Sequence, residues 1–196
     1  AENQKNENGV LWANQFDNEV NFIGHQNDTG PEILRQLNNK IDGFVCSCGT
    51  GGTLTGVSIS LRNKNPDVKI ALADPMGAAL YNFYKKGELK SEGSSVTEGI
   101  GQGRITKNLE QLNVDFPFQI NDKYALDVMF NLVEKEGLFL GGSSGINVAG
   151  ALELAKEVGP GKNIVTILCD SGQRYQSKIW NPSFLKSKDL VVPHWL

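Results

Sequence analysis

An open α/β sheet, mostly parallel and covered by helices on both faces, is the fold class these 196 residues predict, and three observations carry it. Short apolar runs of the kind that lie buried on both sides occur at residues 44–48, 68–73 and 164–169. Stretches with apolar residues near helical spacing separate them, so strand and helix alternate as in sheets built from helical crossovers. Small-residue turns follow Cys48, Leu140 and Cys169. In an open α/β sheet such turns lie at the carboxyl ends of the strands, where ligands bind.

Taken in order, residues 1–10 are mostly polar and read as a flexible lead-in. Residues 12–30 are crowded with amides and small polar side chains, without a sustained period, and read as an irregular surface segment. Thr29-Gly30-Pro31-Glu32 matches a capping box, with Thr29 as N-cap of a helix to about Asn38. The first strand, residues 44–48, runs into Gly49-Thr50-Gly51-Gly52-Thr53 and then a helix over 54–62. Residues 68–73 form the next strand and 76–85 a helix. The cluster Glu98-Gly99-Ile100-Gly101-Gln102-Gly103 has no strand leading into it, so it reads as a loop packed on a ligand or on another loop. A short strand at 118–120 precedes a helix over 124–136, with Asp122 as its cap and Gly137 as its stop. Gly141-Gly142-Ser143-Ser144-Gly145 opens a helix over 146–158. The strand 164–169 ends in Asp170-Ser171-Gly172, and 175–180 reads as a short helix.

Composition excludes several functions. A net charge of -3 with both signs intermixed offers no field for a nucleic-acid backbone. The apolar runs are of strand length and no basic-then-apolar leader opens the chain, so a cytoplasmic protein with no membrane partner is expected. Three cysteines, Cys46, Cys48 and Cys169, give neither a disulfide framework nor zinc spacing; buried inert thiols and no metal are expected.

The turn at residues 49–53 has the chemistry of an anion cradle. Glycines let backbone N–H groups converge, Thr50 and Thr53 add hydroxyls, and the following helix presents its unpaired N–H groups. A plain glycine-rich strand-to-helix turn is the other reading of that stretch alone.

Four motifs in order, Gly49-Thr50-Gly51-Gly52-Thr53, Glu98-Gly99-Ile100-Gly101, Gly141-Gly142-Ser143-Ser144-Gly145 and Asp170-Ser171-Gly172, resemble the cysteine synthase and cystathionine β-synthase family of pyridoxal-phosphate enzymes. The likeness runs from about Leu11 to the C-terminus and implies a tryptophan-synthase β-like fold, with residues 11–196 as its cofactor-phosphate-binding α/β domain. It implies that Gly49, Thr50, Gly51, Gly52 and Thr53 hold the phosphate of pyridoxal 5'-phosphate and that Ser143 meets the pyridine nitrogen. A neutral hydroxyl there does not hold the ring protonated, which tempers its electron withdrawal and suits β-elimination. The same likeness implies that Gln15 binds the substrate carboxylate and that Gly99 leaves room for its β-substituent. His25 sits where the family often has a histidine, with a packing or hydrogen-bonding role. Asp170 and Ser171 face the ring or cap the next helix.

The implied reaction makes L-cysteine from O-acetyl-L-serine and sulfide; cysteine β-lyase or cystathionine β-synthase activity, and a lysine-less binding module, are the alternatives. The family's Schiff-base lysine lies in a Ser/Asn-Val-Lys-Asp-Arg run that nothing here matches, and the Thr/Ser-Gly-Asn-Thr loop is also absent. The expectation is therefore an incomplete fold, the C-terminal portion of an enzyme, with no catalytic residue of its own and inactive alone. Its expected partners are an amino-acid substrate, the missing N-terminal part, a second copy as homodimer, and serine acetyltransferase.

Overall fold

The computed structural model describes residues 9–196, so most of the lead-in expected at 1–10 lies outside the described residues. Four parallel strands, β1 (Gly43–Cys46), β2 (Lys69–Pro75), β3 (Phe116–Ile120) and β4 (Ile164–Thr166), form one sheet in the order β3-β2-β1-β4. Phe44 pairs with Ile70 on one side and Val165 on the other, placing β1 at the centre. The side-chain period of two then divides the core. Phe44, Cys46, Ile70 and Leu72 pack with Leu54, Val57 and Leu61 of α3 (Gly52–Lys64) on one face. Val45, Ala71 and Ala73 pack on the other face, with Ile146, Ala149 and Leu154 of α6 (Gly142–Val158) and Ala125 of α5 (Asp122–Glu136). Helices cover both faces, as the strand pattern predicts. A third cluster sets Leu126, Met129 and Phe130 of α5 against Ile179, Trp180 and Leu185 near the C-terminus.

The segment 12–30 departs most from the sequence reading. Helix α1 (Val20–Gly24) continues through one π-helical turn (His25–Thr29) into α2 (Gly30–Gln36). Thr29 is helical and caps nothing. The apparent capping box is the interior of a helix, and Pro31 explains the wide turn. Proline has no N–H and its ring crowds the carbonyl four residues back; the i→i−5 bond from Gly30 N–H to His25 O widens the helix just ahead of it. Helical structure prevails over the polar composition because Phe22 is buried and the helix lies against α3.

Smaller corrections have local causes. The cap of α5 is Asn121, whose side chain accepts from Tyr124 N–H, while the Asp122 carboxylate turns to Ser95 Oγ and the Val96 N–H. Strand β4 ends at Thr166 because side chains of α6 replace the ladder: Asn147 Nδ2 donates to Ile167 O at 2.8 Å and Ser144 Oγ accepts from Cys169 N at 2.9 Å. In place of a helix over 175–180 there is a single 3-10 turn, Gly172–Tyr175, and α7 (Pro182–Ser187) follows. Helix α4 (Leu80–Lys86) completes the set.

Asp74, at the carboxyl end of β2, is fully buried. Its Oδ2 accepts from the Tyr81 N–H at 2.8 Å, and its Oδ1 has no partner among the described residues. Burial pushes its pKa up to about 7, against hydrogen bonds from Tyr81 and Leu80 that pull it down. The folded state thus holds this proton more tightly than the unfolded chain. The stability it contributes is complete below the unfolded value near 3.8 and is lost as pH rises to about 7. Asp74→Asn, a neutral isostere, is expected to raise the unfolding midpoint at pH 8 and to remove this slope between pH 4 and 7 in thermal scans.

Helix α6 lies close to the sheet at Gly150. A Cβ there would stand 2.6 Å from Ala73 Cβ and 3.0 Å from Val45 Cγ1. Both neighbours belong to strands, so Gly150→Ala is expected to destabilise by about 1–3 kcal/mol, read as a lower urea midpoint.

Candidate functional site

Because all four strands run the same way, the turns that follow β1 and β4 and the N-terminus of α6 meet at one edge of the sheet. Residues 49–51 form the turn from β1 into α3, and Gly51 takes φ +92°, a conformation that favours glycine. Among the described residues no protein acceptor meets the backbone N–H groups of Gly49, Thr50 or Gly51. The loop of residues 98–101 closes over them, with Gly101 N–H donating to Cys48 O at 2.9 Å. A Cβ on Gly49 would lie 2.9 Å from Gly99 O, so only glycine fits beneath that loop.

The two threonine hydroxyls have defined neighbours as well. Thr50 Oγ1 accepts from Asn21 Nδ2 at 3.0 Å and from Gly52 N at 3.3 Å. With both lone pairs engaged, its proton is left to donate outward. Thr53 Oγ1 lies 3.2 Å from His25 Nε2, and His25 Nδ1 lies 2.9 Å from Thr29 Oγ1. Burial lowers the His25 pKa and favours the neutral ring.

These groups border a cavity of about 170 Å3 lined by Ser47, Gly49, Thr50, Gly51, Thr53 and Cys169, among others. That is smaller than the roughly 300–1,000 Å3 of a complete small-ligand pocket, and it suits the anionic end of a ligand. A larger concavity of about 720 Å3 lies along β3, on the flank of the sheet; Asp115, Glu153 and Glu157 outnumber Lys85 in its lining, which disfavours an anion there.

Ser143 is buried in the first turn of α6, whose N-cap is Gly141. The neighbouring Ser144 Oγ accepts from the N–H of Cys169, a cavity-lining residue, which sets this turn beside the cavity. Gln15 is exposed and borders an open groove of about 510 Å3 with Trp12, Phe16 and Arg104, apart from the cradle cavity. Its backbone carbonyl, however, accepts from Asn21 at 2.7 Å and from Asn108 at 2.9 Å. Gly99 is exposed in the covering loop, with φ +79° and nothing within 4 Å of its Cβ position. Ser171 caps the 3-10 turn by accepting from Gln173 N–H, and Asp170 accepts from Tyr175 OH at 2.8 Å. Asn21, Thr106 and Asn108 are the contributors that sequence reasoning missed. The density of amides in residues 12–30 was the available signal, since amides crowded beside an anion turn are donors in search of carbonyls.

The chain matches the family described as "Pyridoxal-phosphate dependent enzyme" over residues 1–170. It belongs to that family. The family's cofactor is pyridoxal 5'-phosphate, and the residues present fit its phosphate: N–H groups without an acceptor among the described residues, two threonine hydroxyls and a helix N-terminus lie at one small cavity. Among relatives, cysteine synthase 1 of Emericella nidulans is 43% identical over 186 residues, which cover 92% of this chain and 50% of that protein. The cysteine synthase of Dictyostelium discoideum is 41% identical, covering 93% and 51%. A crystal structure of the O-acetylserine dependent cystathionine beta-synthase from Helicobacter pylori superposes with a TM-score of 0.77 at 30% identity, over 84% of this chain and 51% of that one. The chain therefore spans about half the length of these relatives. None of the helices among the described residues is long and apolar enough to cross a membrane.

The cysteines differ from the expectation of buried thiols. Cys46 and Cys48 are buried, but Cys169 is exposed at the cavity mouth, where β4 has already ended. Desolvation raises its thiol pKa, partly offset by bonds from Ser143 and Asn147. Cys169 alone is expected to react with Ellman's reagent in the folded chain, more slowly than free cysteine, and pyridoxal 5'-phosphate is expected to slow it further.

Proposed function

We propose that this chain is the cofactor-phosphate-binding portion of a cysteine synthase, which replaces the acetoxy group of O-acetyl-L-serine with sulfide. The observation that carries this reading is the turn at residues 49–53, where three N–H groups without an acceptor among the described residues lie beside the Thr50 and Thr53 hydroxyls at one cavity. Relatives near 40% identity that are named cysteine synthases support the choice of reaction. In this reading Gly49, Thr50, Gly51, Gly52 and Thr53 hold the phosphate and Ser143 takes the pyridine nitrogen. Gln15 donates its amide to the substrate carboxylate, and Gly99 leaves space for the leaving group. Bound there, pyridoxal phosphate supplies an electron sink for the substrate's Cα. The proton transfer at Cα belongs to a lysine segment with no counterpart in these residues, so the working enzyme combines this portion with the lysine-bearing N-terminal part, with homodimerisation, serine acetyltransferase docking and a cytoplasmic setting as further parts of the proposal. A cystathionine-forming synthase is the second reading, favoured by the 0.77 superposition on the Helicobacter pylori structure.

The phosphate role is tested by titrating the chain with pyridoxal 5'-phosphate and with pyridoxal, following tryptophan fluorescence. Thr53→Val should weaken binding of the phosphate form about tenfold, the scale of one hydrogen bond to a charged group. Equal affinity for pyridoxal, or an unchanged affinity in the variant, overturns it. The reaction is tested by mixing the chain with a polypeptide bearing the lysine segment. Cysteine formed from O-acetylserine and sulfide supports the first reading, and a preference for homocysteine as acceptor supports the second.

A further inference from the structure

We propose that Asn108 is a positioning residue that couples the anion cradle to the segment carrying Gln15, so that filling the cradle orders that segment. The inference rests on the cofactor reading above and extends it to residues that touch neither phosphate nor substrate.

Asn108 is fully buried in the 3-10 turn Lys107–Leu109. Its Nδ2 donates to Gln15 O at 2.9 Å, to Phe16 O at 2.8 Å and, more weakly, to Thr50 O at 3.4 Å. Thr50 O also accepts from Thr106 Oγ1 at 2.8 Å. The peptide plane makes these bonds consequential. The carbonyl of Thr50 and the N–H of Gly51 belong to one rigid unit and point in opposite directions. Holding the carbonyl toward Asn108 and Thr106 aims the Gly51 N–H away from them, toward the open side of the turn. An anion that engages this N–H polarises the same peptide and strengthens the bond at its carbonyl end. Asn108 passes that constraint to the carbonyls of Gln15 and Phe16.

The arrangement is reinforced around it. Arg104 grips Asp17 with two bonds of 3.1 Å, and Lys107 N–H donates to the same carboxylate at 3.1 Å. Asn21 makes a parallel link from Gln15 O to Thr50 Oγ1. The two links differ in what they hold. Removing Asn21 would also free the Thr50 hydroxyl, whereas removing Asn108 leaves Thr50 O on Thr106. Asn108 is therefore the position at which coupling separates from anion binding.

Hydrogen exchange of the turn at residues 14–18, where Asp17 N–H and Asn18 N–H both bond Asn14 O, reads the coupling. In the wild-type chain, saturating pyridoxal 5'-phosphate should slow exchange there about tenfold, the scale of one buried hydrogen bond gained. In Asn108→Asp or Asn108→Leu, whichever retains the wild-type circular dichroism, cofactor affinity should stay within about threefold while that protection disappears. Thr106→Val should do the reverse, weakening affinity while keeping protection at saturation. Protection that persists in the Asn108 variants overturns the proposal. So does an equal loss of affinity and protection, which would make Asn108 a support of the cradle alone. A wild-type chain that fails to bind the cofactor at all overturns the cofactor reading, and the coupling with it.

Discussion

The organisation of this chain follows from a constraint at the end of its central strand: the backbone donors of residues 49–51 find no acceptor among the described residues. A helix N-terminus leaves donors unpaired in any fold, and usually a capping side chain or water meets them. Here Gly51 provides no cap for α3, and the nearest hydroxyl, that of Thr50, has its lone pairs taken by Asn21 and Gly52. The surroundings prevent the turn from satisfying itself. Parallel strands place it on the ligand edge, the loop of residues 98–101 covers it, and two asparagines fasten its far side. The bond from Thr106 to Thr50 O aims the Gly51 N–H outward, and the bonds from Asn21 and Gly52 do the same for the Thr50 hydroxyl.

Much of the scaffold was legible because burial on two faces writes itself into composition. Phe44, Val45 and Cys46 could only be a strand covered on both sides, and the alternation of such runs with helical spacing gave the parallel sheet. The three turns at the ligand edge were equally visible, since glycine and hydroxyl residues directly after a strand have few other uses. The glycines of residues 98–103 read as a loop packed on a ligand or on another loop, and the bond from Gly101 to Cys48 makes the contact with the loop after β1.

What stayed hidden depends on partners distant in sequence. Helix α1 is five residues long, too short for its Val20, Phe22 and Ile23 to show a helical period; Phe22 is buried and the helix lies against α3, which is distant in sequence. Pro31 and Thr29 imitate a helix start because local capping chemistry is the same whether or not a helix already precedes it. Asn108 and Asn21 are silent in a linear reading, since an asparagine's amide becomes informative only when the carbonyl it meets is known. The exposed position of Cys169 likewise depends on where β4 stops, and that is decided by Ser144 and Asn147 on α6.

The histidine between two threonines shows how an anion could settle the polarity of its own site. Neutral His25 has one ring proton and two hydroxyl neighbours, so it donates at one nitrogen and accepts at the other. With the proton on Nδ1, Nε2 accepts from Thr53 and turns that hydroxyl away from the cradle. With the proton on Nε2, Thr53 accepts from the ring and its own proton is available to the cavity. An anion in the cradle interacts favourably only with the second arrangement, so binding selects that tautomer and makes Thr29 O–H the donor to Nδ1. Burial, by keeping the ring neutral, preserves this choice; a charged ring would donate at both nitrogens and leave nothing to select.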